Sequence, residues 1–332
     1  MVSGQMYKSF YKLNRDPFEI TPDPSFLFVT KKHNEALATL YYGVRRHKGF
    51  VVMTGEVGTG KTLLVRCLLQ LLNHANVGYA YVYNTKLSPL EFLRYIAGDL
   101  GLAASGKSKS DLLLELNAYL IARHQRALTT VLVVDEAHHL SVDVLEEIRL
   151  LTNLETAQQK LLQILLVGQP ELDEKLDSFE LRQVKQRIAL RCHLQPLNQD
   201  ETRQYIQRRL QVAGANSPAN GPFSADAIMA IHHHSHGIPR LINTICENAL
   251  VIGYANQAVM VMPDIIDEVA ADLRLNIVHP AQTASTTSEN DEVRAAARTL
   301  LELHNSLTRA HSTKDNLRIA MPSGVSKHEP FV

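Results

Sequence analysis

Tryptophan is absent from the 332 residues, and aromatic side chains make up only 6% of the chain. Cysteine is scarce: Cys67, Cys192 and Cys246 are far apart and odd in number. That excludes a disulfide framework and any cysteine metal knuckle, and leaves reduced, mostly buried thiols as the expectation. Long apolar runs are missing too. None approaches the ~18 residues that suggest a membrane span. Met1 to Arg15 lacks the apolar core of a signal peptide, so a cytoplasmic chain is expected. Net charge is also lacking, with 34 basic against 34 acidic residues. No global pull toward nucleic acid or acidic lipid follows, although a local basic patch remains open. What is present suffices for globular folding. Apolar residues reach 45%, an ordinary core fraction, and the length suits about two domains.

Four regions divide the chain. Residues 1–48 hold aromatics and prolines, including Asp16-Pro17-Phe18 and Thr21-Pro22-Asp23-Pro24, and read as an ordered leader packing over another part of the chain. Residues 49–196 alternate near-continuous apolar runs (50–54, 78–83, 131–134, 162–167) with helical stretches. Such runs suit strands buried on both faces of a parallel sheet, and the alternation implies an α/β architecture. Ser88-Pro89 opens one helix, with proline at its first position, and Ser141 caps another. Residues 197–277 read as all helical. Asn198 with Glu201 forms a capping-box pattern, Ser224 caps a second helix, and Pro239 and Pro263 open two more. Residues 278–332 read as a mostly disordered tail. A possible amphipathic helix at 292–309 carries Val293, Ala296, Leu300, Leu303 and Leu307 on one stripe.

Gly55-Glu56-Val57-Gly58-Thr59-Gly60-Lys61-Thr62 fits the phosphate-loop spacing, between an apolar strand and a helical run. Glycines let successive backbone N–H groups turn onto phosphate oxygens, and the helix N-terminus adds positive potential. Lys61 is expected on the β- and γ-phosphates of ATP, and the Thr62 hydroxyl on Mg²⁺. About 75 residues on, Val131-Leu132-Val133-Val134-Asp135-Glu136 ends an apolar strand in two carboxylates. Asp135 is expected to hold Mg²⁺ through water, and Glu136 to polarise the attacking water. Ala137-His138-His139 follow; packing or solvent-side roles are expected for both histidines. The same reading applies to His232, His233, His234 and His236, which do not converge on one helix face. The segment 18–24 could close over a flat base, which needs apolar walls.

These motifs, with Leu166-Val167-Gly168-Gln169-Pro170-Glu171-Leu172, residues 181–197 and Gly237-Ile238-Pro239-Arg240-Leu241-Ile242-Asn243, resemble the AAA+ ATPases related to general secretion pathway protein A and to the ATPases of exosortase loci. The resemblance spans about residues 6–275. It implies a P-loop AAA+ three-layer sandwich with a parallel sheet, followed by a small all-helical lid. It further implies Gln169 as a polar sensor near the γ-phosphate, Arg187 as an arginine finger in trans, and Arg240 as a second sensor. Arg182 and Arg191 compete with Arg187 for the finger. Asn84 is implied as a restraint on Glu136. A homo-oligomer with nucleotide at the subunit interface is expected, serving assembly of a secretion or surface-polymer export system. Any link to the inner membrane is expected to run peripherally, through a protein partner. The alternative is a DNA-associated regulator similar to transposition target-selection ATPases, with Arg203, Arg208 and Arg209, or Arg182, Lys185, Arg187 and Arg191, touching phosphates.

Overall fold

Alternation along the strands sorts their side chains between two hydrophobic faces, and this organises the first half of the chain. The computed structural model describes residues 3–19, 24–26, 28–73, 77–83, 85–215 and 221–275. The chain begins with α1 (Ser3–Phe10), a short 3₁₀ turn (Pro24–Phe26) and α2 (Lys31–Arg45). It continues with β1 (Phe50–Gly55), α3 (Lys61–Asn73), β2 (Gly78–Val82), α4 (Pro89–Asp99), α5 (Lys109–Gln125) and β3 (Thr130–Val134). A second 3₁₀ turn (Ala137–His139) precedes α6 (Val142–Leu151), β4 (Leu162–Gly168), α7 (Glu171–Leu176), α8 (Arg182–Lys185) and β5 (Leu190–Leu194). The strands form one parallel sheet in the order β2-β3-β4-β1-β5.

On one face Phe50, Val52, Leu132, Val134, Ile164 and Leu166 pack with Phe92 and Ile96 of α4, Leu116 of α5 and Ile148 of α6. On the other, Val51, Met53, Val131, Val133, Leu165 and Val167 pack with Leu40 and Val44 of α2 and with Leu64, Leu68 and Leu72 of α3. Two helical layers with a sheet between them make the three-layer sandwich. Only the central strands are buried on both faces. β2 lies at the sheet edge: Ala80 and Val82 are buried while Tyr79 is exposed. The expectation of a doubly buried run there is corrected accordingly, because an edge strand has one open side. β5, the opposite edge, alternates exposed Arg191 and His193 with less exposed neighbours. Its mixed composition hides it from a search for apolar runs.

The helical part follows as α9 (Gln199–Val212), α10 (Ala225–Ser235), α11 (Pro239–Ala255) and α12 (Pro263–Asp272). Local chemistry sets these starts. Asn198 and Glu201 form a reciprocal capping box, Ser224 accepts from the Ala227 amide, and proline opens α11 and α12. The leader divides between the two parts. Tyr7, Leu13, Phe18 and Phe26 join the core of the helical domain, with Tyr205, Ile245 and Val269. The Tyr7 hydroxyl donates to Glu247 Oε1 of α11 at 2.8 Å. The remainder, α2, instead packs on the sheet. The tail helix proposed at 292–309, the rest of 278–332, and Asn84 lie outside the described residues.

Candidate functional site: a phosphate loop beneath a helical lid

The phosphate loop leaves the carboxyl end of β1, where α3 crosses to one face of the sheet while α4, α5 and α6 cover the other. Crevices at such reversals of direction are the usual ligand sites of open α/β sheets. Gly58 and Gly60 have φ of +83° and +99°, values that side chains other than glycine adopt only with strain. The Lys61 ammonium donates to the carbonyls of Gly55 and Glu56 at 2.7 and 2.9 Å. Burial lowers its pKa, opposed by the charges of Glu136, Asp135, Glu56 and Glu171.

Thr62 and Asp135 meet as their separate motifs require. The Thr62 hydroxyl donates to Asp135 Oδ2 at 2.9 Å. The Tyr81 hydroxyl of β2 donates to the same oxygen at 2.7 Å, and the Glu136 amide donates to Oδ1 at 2.9 Å. Burial, then the Asp135 charge, raises the Tyr81 pKa far above its usual value, so the phenol remains a donor. Asp135 is only 5% exposed. A hydroxyl beside a buried carboxylate is a hard oxygen donor set, which fits Mg²⁺ held mainly by phosphate oxygens and water.

Glu136 occupies the left-handed region at φ +53° and lines the cleft above the loop. Its Oε2 is buried and has no hydrogen-bond partner among the described residues. His138 stands 3.5 Å from that oxygen through Nδ1. Its side chain is 7% exposed. His138 is therefore a packed residue behind Glu136, within the packing or solvent-side roles expected of it, and it does not itself line the cleft. Its contact with Glu136 depends on how the turn after β3 folds, which no spacing or periodicity signals.

The cleft measures about 380 Å³. The loop floors it, and α11 and the leader roof it. The Arg240 amide donates to the Gly58 carbonyl at 3.2 Å, so α11 touches the loop directly. Phe26, Phe28, Tyr205 and Asn243 contribute walls. Arg209 is 7% exposed and donates to the carbonyls of Pro17 and Glu19, holding the leader over the cleft. Its guanidinium stacks on Phe26, 4.7 Å from the ring centre. Grouping Arg209 with Arg203 and Arg208 as one phosphate-touching face is thereby corrected: it points inward, while Arg203 pairs with Asp200 and Arg208 donates to Gln211. His33, on α2, was also missed by the sequence reading. Its Nε2 lies 3.4 Å from the Thr59 carbonyl and its Nδ1 2.7 Å from the Thr30 hydroxyl. Burial lowers its pKa, against the raising influence of the Thr59 carbonyl.

Gln169 follows β4, and its amide donates to His138 Nδ1 at 3.4 Å. It does not itself line the cleft. Arg191 pairs with Asp173 at 2.7 Å, and Arg182 stacks on Phe179 at 4.4 Å. Arg187 is exposed, and among the described residues its side chain has no hydrogen-bond or ion-pair partner, although its charge lowers the Glu155 pKa after the larger effect of Lys160. The histidines of α10 are occupied separately: His232 bonds Thr202 and His234 bonds Asp267. No cluster of three metal-ligating acids, histidines or cysteines occurs among the described residues. Nor is any described helix long and apolar enough to cross a membrane.

Residues 44–176 match the AAA domain family. General secretion pathway protein A of Aeromonas hydrophila is 45% identical over 251 residues, 75% of this chain and 45% of that protein. The chain thus spans less than half the length of that relative. The Mu-like prophage FluMu DNA transposition protein B of Haemophilus influenzae is 27% identical over 158 residues, 46% of this chain and 51% of that protein. Among solved structures, the Aeropyrum pernix ORC2 protein shares the fold at a TM-score of 0.58 and 18% identity, over 78% of this chain and 72% of that one. The domain match and the first of these relatives give the assignment: the chain belongs to the AAA+ proteins related to general secretion pathway protein A.

Proposed function

We propose that the chain binds ATP with Mg²⁺ between the phosphate loop and α11, hydrolyses it to ADP and phosphate, and works as an oligomeric switch or motor. The observation that carries this reading is the Thr62–Asp135 contact, 2.9 Å long, with Glu136 next in the chain and on the wall of the same cleft. Lys61 exchanges its two loop carbonyls for phosphate oxygens. Thr62 and Asp135 would hold Mg²⁺, which would supply charge neutralisation on the phosphates. Glu136 orients the attacking water and accepts its proton. The AAA domain match supports nucleotide chemistry in general, and the solved neighbour is described in complexes with ADPNP and ADP.

The position of Arg187 supports a role in trans. Ala189 donates to Phe50 at the start of β1, while Leu194 stands in register with Gly55 at its end. Four strand steps of about 3.3 Å separate Leu190 from the level of the loop, and Arg187 lies further back still. Its side chain is too short to reach the loop of its own subunit, but it is free to reach a neighbour's. Arg240 and Gln169 are proposed as nucleotide sensors, Arg240 from the rim of the cleft and Gln169 through His138. Asn84 is retained as a proposed restraint on Glu136 on the strength of the family resemblance.

For the pathway, the relationship to general secretion pathway protein A favours assembly of a secretion or surface-polymer export system, with the chain in the cytoplasm and reaching the inner membrane through a protein partner. The test is two-part. Purified chain should turn over ATP only with Mg²⁺, and pull-down from cells should recover export-system components in an ATP-dependent manner. Absence of turnover at saturating ATP rejects the enzymatic reading, and recovery without such components rejects the pathway. The similarity to a DNA transposition protein favours a second reading, a DNA-associated regulator. It requires ATP-dependent DNA retention that weakens steeply with salt, and no retention at low salt removes it.

A further inference from the structure

The turn after β3 holds a hydrogen-bonding conflict. His138 Nδ1 accepts the Gln169 amide at 3.4 Å, which requires its lone pair and puts the ring proton on Nε2. The same Nδ1 faces Glu136 Oε2 at 3.5 Å. In that tautomer two lone pairs confront each other. Both Glu136 Oε2 and His138 Nε2 are then buried without a partner among the described residues. Unsatisfied buried polar groups are rare and costly, and here one faces Nδ1 while the other is the second nitrogen of the same ring. Moving the ring proton to Nδ1 reverses the arrangement: Nδ1 donates to Glu136, and the Gln169 amide loses its acceptor. The ring cannot serve both neighbours at once.

The surroundings hold the histidine in place rather than leaving it free to drift. Lys175 Nζ of α7 donates to the His138 and Leu140 carbonyls, at 2.7 Å each, pinning the turn. Gly168 packs against the His138 amide so closely that an added Cβ would stand 3.3 Å from it. The imidazole of His139 lies against that of His138, with ring centres 3.9 Å apart and planes tilted by 43°. The ring is therefore fixed between two partners, one on β3's exit and one on β4's.

We propose that His138 is a positioning residue for Glu136, and that its choice between Glu136 Oε2 and the Gln169 amide couples the carboxylate's orientation to the end of β4. With Nδ1 engaged by Gln169, Glu136 is unsupported. With Nδ1–H turned to Glu136, the carboxylate is fixed for its work on water. The inference rests on the ATPase reading above for its kinetic consequence, and has a structural consequence independent of it.

Three measurements on the full chain test it. Long-range ¹⁵N–¹H NMR of His138 in the nucleotide-free protein should show the proton on Nε2; a proton on Nδ1 overturns the proposal whether or not the chain hydrolyses ATP. His138→Ala should lower kcat by about 10- to 100-fold while the Kd for a fluorescent ATP analogue stays within about twofold. His138→Asn, whose amide falls near the Nδ1 position, should recover much of that loss, and His138→Gln, whose amide falls nearer Nε2, should not. Equal kcat in the Asn and Gln variants, or an unchanged kcat in the Ala variant, overturns the proposal. Should the Ala variant fail to fold, the Asn and Gln pair decides. A wild-type chain that binds the analogue without turnover instead rejects the ATPase reading, and the NMR result still judges the tautomer.

Discussion

The backbone amide of Arg240 donates to the carbonyl of Gly58 at 3.2 Å, joining the first turn of α11 to the middle of the phosphate loop. The helical domain thus touches the loop through main-chain atoms, independent of the Arg240 side chain. Gly58 permits the approach. Its φ is +83°, and a Cβ added there would stand 2.6 Å from the Arg240 Cβ. Gly58→Ala combines left-handed strain of about 1–2 kcal/mol with displacement of α11. The expected result is a lower Tm together with weakened ATP binding by titration. A variant that retains wild-type affinity would show that this contact does not shape the cleft.

Lys61 and Glu136 should separate binding from chemistry. Lys61→Ala removes the only ammonium on the cleft wall among the described residues and leaves the Gly55 and Glu56 carbonyls without their donor. ATP affinity should fall by at least about tenfold, the scale of one lost charge-assisted contact. Glu136→Gln keeps shape and removes the base, so ATP should still bind while turnover drops by about 10²- to 10⁴-fold. Equilibrium binding measured beside single-turnover hydrolysis distinguishes the two. Comparable loss of binding in both variants would contradict the assigned roles.

Arg187 yields a complementation experiment. Arg187→Ala should lower turnover by about a thousandfold or more, with nucleotide affinity little changed. Wild-type specific activity should rise with protein concentration, since a lone subunit lacks the finger. Mixing the Arg187→Ala and Lys61→Ala chains, each nearly inactive alone, should restore activity, because the second supplies an arginine to the first. Unchanged rates on mixing would mean that Arg187 does not act across a subunit boundary.

The loop and the acidic strand end were legible because each is a contiguous string whose spacing carries the chemistry. Gly55–Thr62 and Asp135-Glu136 needed no tertiary information, and neither did the caps at Ser88, Asn198 and Ser224, which are local hydrogen bonds. The long-range contacts that fix the site were not legible in this way. Tyr81 reaches Asp135 across 54 residues, and Arg209 holds Pro17 across 192. Such contacts leave no periodicity or spacing to read. His138 was expected to pack or to face solvent, and which of the two depends on Glu136 adopting φ +53° and on Lys175 pinning the turn. β5 escaped for a different reason: an edge strand needs no continuous apolar run.

His33 should give the fold a measurable acid sensitivity. It is buried among Thr30, Thr59 and the loop, and burial lowers its pKa below the ordinary value of 6.5. As pH falls below 6.5, the unfolded chain gains a proton that the folded chain refuses. Stability therefore declines with falling pH, from 6.5 down to the folded pKa, by at most about 1.4 kcal/mol per pH unit for this one group. His47, His138 and His232 are shifted the same way, so the wild-type decline sums several sites. The difference between wild type and His33→Gln isolates one of them, because glutamine does not titrate. Denaturant melts from pH 7 to pH 5 should show a shallower loss in the variant. Parallel curves would mean that His33 takes up its proton in the folded state as readily as in the unfolded one.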